Sequence, residues 1–170
     1  MRLRWVIALT AAAVGVAAYA GSVLATNPVG VKTDTIGVGR FTDIDASVKT
    51  DVDPGHATDY WQARINTKGD SDLYVIQNTI APGGTFGWHG HPGPSLVIVK
   101  SGTATFYMAD DPTCSPHVVK AGQGFVDDGN DTHVVRNESA DTPLVTVVAS
   151  IVPAGFARRI DQPSPGNCSF

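Results

Sequence analysis

The chain has 170 residues, with 12 basic and 16 acidic side chains and a formal net charge of −4. This length is sufficient for one domain with a hydrophobic core. The acidic balance, without any cluster of lysine and arginine, excludes nucleic acid as a partner.

The first 25 residues have the pattern of an export signal. Arg2 and Arg4 form a short basic region, residues 5–20 are apolar apart from Thr10, and small residues follow. This pattern predicts a signal peptide over residues 1–25. An uncleaved membrane anchor is the alternative, because residues 5–25 are long enough to span a bilayer. Both interpretations place the folded part outside the cytoplasm, either secreted, otherwise extracytoplasmic, or tethered to the outer face of the membrane.

Cys114 and Cys168 are the two cysteines of the chain. In an exported protein an even pair is most simply a disulfide. Such a bridge would stabilise the fold by about 4 kcal/mol in the chain-entropy account and would tie the C-terminal tail to the domain. A metal-thiolate role is the alternative, but neither cysteine has a second cysteine at ligand spacing, and only His117 follows Cys114 closely.

The rest of the chain divides at Leu73. Residues 26–39 are polar and glycine-rich and predict an extended arm, and residues 40–67 predict one or two edge strands. From Leu73 to the C-terminus, short β-rich runs alternate with Pro, Gly and Asp, which is typical of an antiparallel sandwich or barrel. We therefore expect an arm with edge strands over residues 26–72 and a barrel with a C-terminal tail over residues 73–170.

The predicted fold is all-β. Residues 101–102 contain a glycine and separate two strand-like runs, which predicts a tight hairpin. A brief helix is expected at residues 154–160, after Pro153. The predicted strands cover residues 73–80, 85–91, 96–100, 103–108, 118–120, 122–127, 133–137 and 144–151.

Three histidines are the candidate functional residues. His89 and His91 are two positions apart, so in a strand both imidazoles point to one face, about 7 Å apart along the backbone. His133 lies in a second segment that is rich in glycine and aspartate. Whether these three side chains meet is the main question about function.

The segments around these histidines resemble the two sequence motifs of the cupin superfamily. The first motif is matched in every spacing, by Gly83, His89, His91, Ser95 and Gly102, with serine in place of the usual glutamate. The second is similar at Gly122, His133 and Asn137, while Asp128 and Asn130 stand at its proline and glycine positions. The resemblance implies a conical cupin barrel of two antiparallel sheets, of the double-stranded β-helix or jelly-roll type.

The resemblance also implies a metal site. Carried over residue by residue, the family's ligands are His89, His91 and His133, with Ser95 at the glutamate position. A neutral hydroxyl is a poor ligand beside three imidazoles, so Ser95 is interpreted as non-ligating or as a residue that supports the ligands without touching the ion. Three imidazoles suit one divalent ion of iron, zinc, copper, nickel or manganese, and the metal is left undetermined.

The residues leave several alternatives open. Asp127 and Asp128 are interpreted as turn residues, although a carboxylate there would replace the missing glutamate. Arg158 and Arg159 are predicted to be a solvated surface pair. Isolated histidines without a partner at ligand spacing are interpreted as half-exposed polar residues, and four aromatic residues as barrel wall; these are His56 and His117, and Phe86, Trp88, Phe106 and Tyr107.

Two classes of function follow. The first is a metal-dependent enzyme, most simply an oxidoreductase of the dioxygenase type acting on a small molecule, for which the sequence names no general base. The second is a non-enzymatic module that binds a small ligand or serves in interactions. The resemblance is also compatible with a homodimer, and membrane contact is expected only if the N-terminal segment is uncleaved.

Overall fold

The computed structural model describes residues 25–52 and 60–170. The predicted signal segment, except for Ala25, and His56 lie outside the described residues. Within the described residues, no helix is long and apolar enough to span a membrane. These residues form strands β1 (Val29–Phe41), β2 (Asp45–Asp51), β3 (Tyr60–Asn66), β4 (Ser71–Thr85), β5 (His89–Gly90), β6 (Ser95–Ser101), β7 (Thr103–Met108), β8 (His117–Lys120), β9 (Gly124–Asp127), β10 (His133–Arg136), β11 (Leu144–Pro153) and β12 (Ile160–Asp161).

Ten of these strands form one continuous sheet that curls into a barrel. On one side, β1 and β11 flank β4, and β6 and β9 follow β11. On the other side, β10 pairs with β5 and β7, β8 pairs with β7, and β12 pairs with β5. The end of β4 joins the two sides through the pairing of Thr85 with Arg136. The all-β cupin barrel is therefore confirmed.

The alternation of side chains along β11 and β4 defines the interior. Every second residue of β11 from Leu144 to Val152 is buried, whereas the residues between them are half-buried. Apolar side chains such as Ile80 and Val99 close one end of the interior. Beyond them, Asn78 and Thr146 are also buried and are joined by a hydrogen bond from Nδ2 to Oγ1 of 3.3 Å. The middle of the barrel is thus polar enough to form a site.

The predicted hairpin at residues 101–102 is wrong. β6 pairs with β11 and β9, whereas β7 pairs with β10 and β8, so the chain crosses from one side of the barrel to the other at this connection. Gly102 has a φ of 78°, and a Cβ atom there would lie 2.7 Å from the carbonyl oxygen of Pro143. The glycine is therefore required by a close crossing of two backbone segments.

The arm and the edge strands are more regular than their composition indicates. Most of the polar arm lies in β1, which pairs with β4 along nearly its whole length. Both faces of β1 are largely exposed, so no alternation of polar and apolar residues marks it as a strand. β2 and β3 form a separate two-stranded sheet, and no helix forms in residues 154–160, where turns follow β11. Gly155 has a φ of 78°, which is incompatible with a right-handed helix at this position.

The predicted disulfide between Cys114 and Cys168 is present, with a Cα–Cα distance of 5.3 Å. Cys168 packs with Trp88, Tyr107 and Val134 in a second buried cluster. Because Val134 is the neighbour of His133 on β10, its side chain points to the opposite face of the sheet. The C-terminal tail therefore covers the outer surface of the strand whose inner face carries a candidate ligand.

Candidate metal centre

The barrel brings the three predicted histidines together. His89 on β5 and His133 on β10 are paired in register, and His91 follows directly after β5. All three are buried, with exposures of 4–8%. One potential ligand atom from each lies within 4.8 Å of the others, which is close enough for one ion to contact all three.

Hydrogen bonds orient two of the imidazole rings. Nδ1 of His89 lies 2.8 Å from the carbonyl oxygen of Gly87, and Nδ1 of His91 lies 2.7 Å from that of Arg158. A carbonyl oxygen can only accept, so each Nδ1 carries the proton. In the neutral ring Nε2 then has a free lone pair, as a metal ligand requires.

The site keeps its imidazoles neutral. Burial is the main cause in each case: it lowers the pKa of His89 to about 2, with the charge of His133 adding to the effect, and it lowers the pKa of His133 to about 4. Burial also lowers the pKa of His91, although the carbonyl of Arg158 and the carboxylate of Asp127 oppose the shift. Neutral imidazole is the form that binds a metal ion.

Asp127 is the residue that sequence reasoning assigned to a turn and that the structure places in the site. It ends β9, its side chain is 7% exposed, and its Oδ2 lies 3.2 Å from Nε2 of His91 and 3.7 Å from Nε2 of His133. The neighbouring Asp128 is exposed. In the structure Phe125 and Asp127 are half-buried and Val126 between them is exposed, but two adjacent aspartates give no sequence pattern that identifies the inward-facing one.

Ser95 lies opposite Asp127 in the pairing of β6 with β9. It is 2% exposed, and its Oγ lies 2.8 Å from Oγ of Ser150 on β11. Its hydroxyl therefore has a hydrogen-bond partner within the barrel wall.

Two cavities meet at the histidines. The inner one has a volume of about 50 Å³, and its wall includes the three histidines, Ser95 and Asp127. The second, of about 390 Å³, is lined by aromatic and apolar side chains together with Asp127, Asp128, Asp131 and His133. Because Asp127 and His133 border both, a small molecule in the larger cavity would lie next to the candidate ligands.

The predicted surface pair of arginines is wrong. Arg158 is half-buried and lines the inner cavity, and its carbonyl orients His91. Arg159 is also half-buried, and its guanidinium donates to the carbonyl oxygen of Phe86 at 2.6 Å. These contacts arise because β12 pairs with β5, which brings the preceding segment next to His91; composition does not reveal this pairing.

The remaining predictions concern residues outside the ligand set. Trp88 and Tyr107 are buried in the cluster beneath the tail, as expected for barrel wall. Phe106 is half-buried against the apolar core. Its ring also stacks on that of His117, which is exposed and lies outside the inner cavity.

The comparisons with known proteins agree with this architecture. The cupin domain family model matches residues 78–150. No curated protein sequence matches the chain.

Three solved structures illustrate the likeness. A cupin-like protein from Thermotoga maritima is 23% identical, with a TM-score of 0.46 over 54% of this chain and 65% of that one. A protein with a double-stranded β-helix domain from Klebsiella pneumoniae is 20% identical, with a TM-score of 0.43 over 53% and 75%. A DMSP lyase from Ruegeria pomeroyi is 20% identical, with a TM-score of 0.43 over 50% and 41%.

Proposed function

The chain belongs to the cupin superfamily, and we propose that it is an exported cupin that binds one divalent metal ion through His89, His91 and His133. The observation that carries the proposal is the convergence of three buried imidazoles whose ligand atoms lie within 4.8 Å of one another. Their neutral state and the hydrogen bonds that orient two of the rings support it further.

The donor set suits a divalent transition metal. Imidazole nitrogens bind iron, zinc, copper and nickel, and a nearby carboxylate extends the range towards manganese. A bound ion would act as a Lewis acid or as an oxygen-activating centre for a small substrate. The residues of this chain would hold the ion, exclude bulk water and present the larger cavity beside it.

The enzymatic form of this proposal is a metal-dependent oxidoreductase of the dioxygenase type, or another metal-assisted enzyme, with a small-molecule substrate. The larger cavity supports it, because it is lined by the apolar side chains of Phe106, Met108 and Phe125 and also by His133 and Asp127. Apolar walls with a few polar groups are typical of sites for small molecules.

A non-enzymatic ligand-binding cupin is the second candidate. Ser95 in the place of the usual glutamate favours it, because this hydroxyl is engaged with Ser150 and is not available as an anionic ligand. In this form the same barrel would hold a small molecule without converting it.

The metal content of the purified full-length protein tests the proposal. After reconstitution, mass spectrometry should find about one equivalent of transition metal in the wild type and much less in a His89→Ala, His133→Ala double variant. His117→Ala is the matched control, because this histidine is exposed and lies outside the inner cavity. Equal metal in all three proteins, or none in the wild type, would contradict the proposal. Metal without turnover of small acids and diketones would favour the binding module.

Export is the other part of the proposal. The disulfide between Cys114 and Cys168 supports it, because such bonds persist in oxidising compartments. Fractionation of cells that produce the full chain, with intact-mass measurement, tests it. We expect protein outside the cytoplasm, shortened by about 25 residues if the signal is cleaved, whereas full-length protein in the cytoplasm would contradict export.

A further inference from the structure

We propose that Asp127 supplies the carboxylate ligand of this centre, in place of the glutamate that Ser95 replaces. The proposal rests on the proposed metal site. It moves the anionic ligand from β6 to the adjacent strand β9, where Asp127 lies directly opposite Ser95.

The position of Asp127 suits this role. Directly opposed residues of an antiparallel pair have their side chains on the same face, so a carboxylate at either position points towards the same space. Oδ1 of Asp127 accepts a hydrogen bond of 3.0 Å from the backbone N–H of Gly129. That bond holds the carboxylate in place and leaves Oδ2 facing Nε2 of His91 and His133.

The contacts of Asp127 place three potential donor atoms side by side. Nδ1 of His91 lies 2.7 Å from the carbonyl oxygen of Arg158, so the ring is oriented with Nε2 towards the carboxylate. Oδ2 of Asp127 lies 3.2 Å from Nε2 of His91 and 3.7 Å from Nε2 of His133. A cation held by the histidines would therefore lie within reach of this oxygen.

The carboxylate also changes the charge of the centre. With three neutral imidazoles alone, the ion would keep its full double charge in a largely buried cavity. Asp127 reduces that charge by one and adds a hard oxygen donor, which suits iron, manganese or zinc better than copper(I). The substitution at position 95 therefore does not remove the anionic ligand from the site, because β9 provides another.

Metal affinity of point variants in the full-length protein tests this role. In a competition with a chromophoric chelator, Asp127→Asn should raise the Kd for Zn²⁺ by about 100-fold or more, because it keeps the shape of the side chain and removes its charge. Ser95→Ala and Asp128→Asn should leave the Kd essentially unchanged, since the first residue is non-ligating and the second is exposed. The d–d spectrum of the Co²⁺-substituted protein should change in Asp127→Asn and in neither control.

A rescue variant separates a ligand from a structural residue. Ser95→Glu in the Asp127→Asn background returns a carboxylate to the position used in the family motif and should recover most of the lost affinity. If the wild type binds no metal, the proposed function itself fails. If the wild type binds metal and Asp127→Asn binds it equally well or more tightly, the metal site stands and Asp127 is instead the partner of a protonated His91.

Discussion

His133 lies opposite His89 in the pairing of β10 with β5, with ring centroids 4.5 Å apart. One ring comes from each of the two family motifs, so the pairing of these short strands is what assembles the site. Both rings are buried, which disfavours a positive charge on either, and His133 adds to this effect at His89. The stability of the barrel should therefore depend on keeping them uncharged.

The metal-free protein should lose stability as the pH falls below 6.5. Burial lowers the pKa of His89 to about 2 and that of His133 to about 4, whereas both titrate near 6.5 when unfolded. Between these values the unfolded chain binds more protons, so the free energy of unfolding falls as pH decreases. Each histidine contributes a slope of up to about 1.4 kcal/mol per pH unit. We expect a loss of roughly 2 kcal/mol between pH 6 and pH 5, measured by urea denaturation with a chelator.

The control for this dependence is a His89→Gln, His133→Gln double variant, which should have a flatter profile over the same range. His117→Gln should retain the slope of the wild type. A wild-type profile as flat as that of the double variant would contradict neutral histidines as the origin.

Asn137 should be one of the most important polar residues for stability. It is 1% exposed, and its Nδ2 donates to the carbonyl oxygens of Ile80, Ala81 and Thr142 at 3.0, 3.2 and 2.8 Å. Asn137→Ala would leave these acceptors without their shared donor and should lower the free energy of unfolding by about 2–4 kcal/mol. Chemical denaturation measures this loss, with Asn66→Ala as the exposed control. Equal effects of the two substitutions would show that the hydrogen bonds contribute little.

The sequence was sufficient to identify the three histidines that the structure brings together, but it left open whether the carboxylate of Asp127 or of Asp128 lies beside them. The spacing of His89, His91 and His133 within two motifs can be recognised without knowing the exact geometry of the strands. The role of Asp127 depends on which way the end of β9 faces and on its pairing with β6, and neither is visible in a segment where two aspartates are adjacent. The hydroxyl at position 95 therefore indicated a missing ligand, whereas the fold places the carboxylate of Asp127 directly opposite it.

The successful and unsuccessful predictions of the fold differ in whether the residues of the segment themselves mark it as a strand or a turn. β11 was predicted because its segment is rich in valine and isoleucine, and in the structure every second residue of it is buried. β1 was not recognised as a strand because most of its residues are exposed on both faces. The connection at Gly102 was interpreted as a hairpin because a tight turn with glycine has the same sequence in both cases: when the chain returns beside the previous strand, and when it crosses to the other side of the barrel.

Substitution of Gly102 should show the cost of that crossing. A Cβ atom at this position would lie 2.7 Å from the carbonyl oxygen of Pro143, and the residue has a φ of 78°. Gly102→Ala should therefore destabilise the fold by about 3 kcal/mol, from backbone strain and overlap together. Gly122→Ala is the matched control, because its φ is 85° but its Cβ atom would contact nothing within 4 Å. It should cost about 1 kcal/mol. Thermal unfolding of both variants measures the difference, and equal losses would exclude a steric origin.

Removal of the disulfide should weaken the fold without emptying the metal site. A Cys114→Ala, Cys168→Ala variant should lose about 2–4 kcal/mol of stability, because its unfolded chain is no longer cross-linked. The tail is also held by hydrogen bonds of 2.9 and 2.6 Å from Nδ2 of Asn167 to the carbonyl oxygens of Met108 and Asp111. The tail packs on the face of β10 opposite His133, so the variant should keep the wild-type metal content at 25 °C without denaturant. In a urea titration it should release the metal at a lower urea concentration than the wild type, because it unfolds earlier. Metal content measured along a urea titration tests both statements, with Asn167→Ala reporting the contribution of the tail contacts alone. Loss of metal from the disulfide variant in the absence of denaturant would show that the tail also positions β10, and would contradict the separation of the two faces.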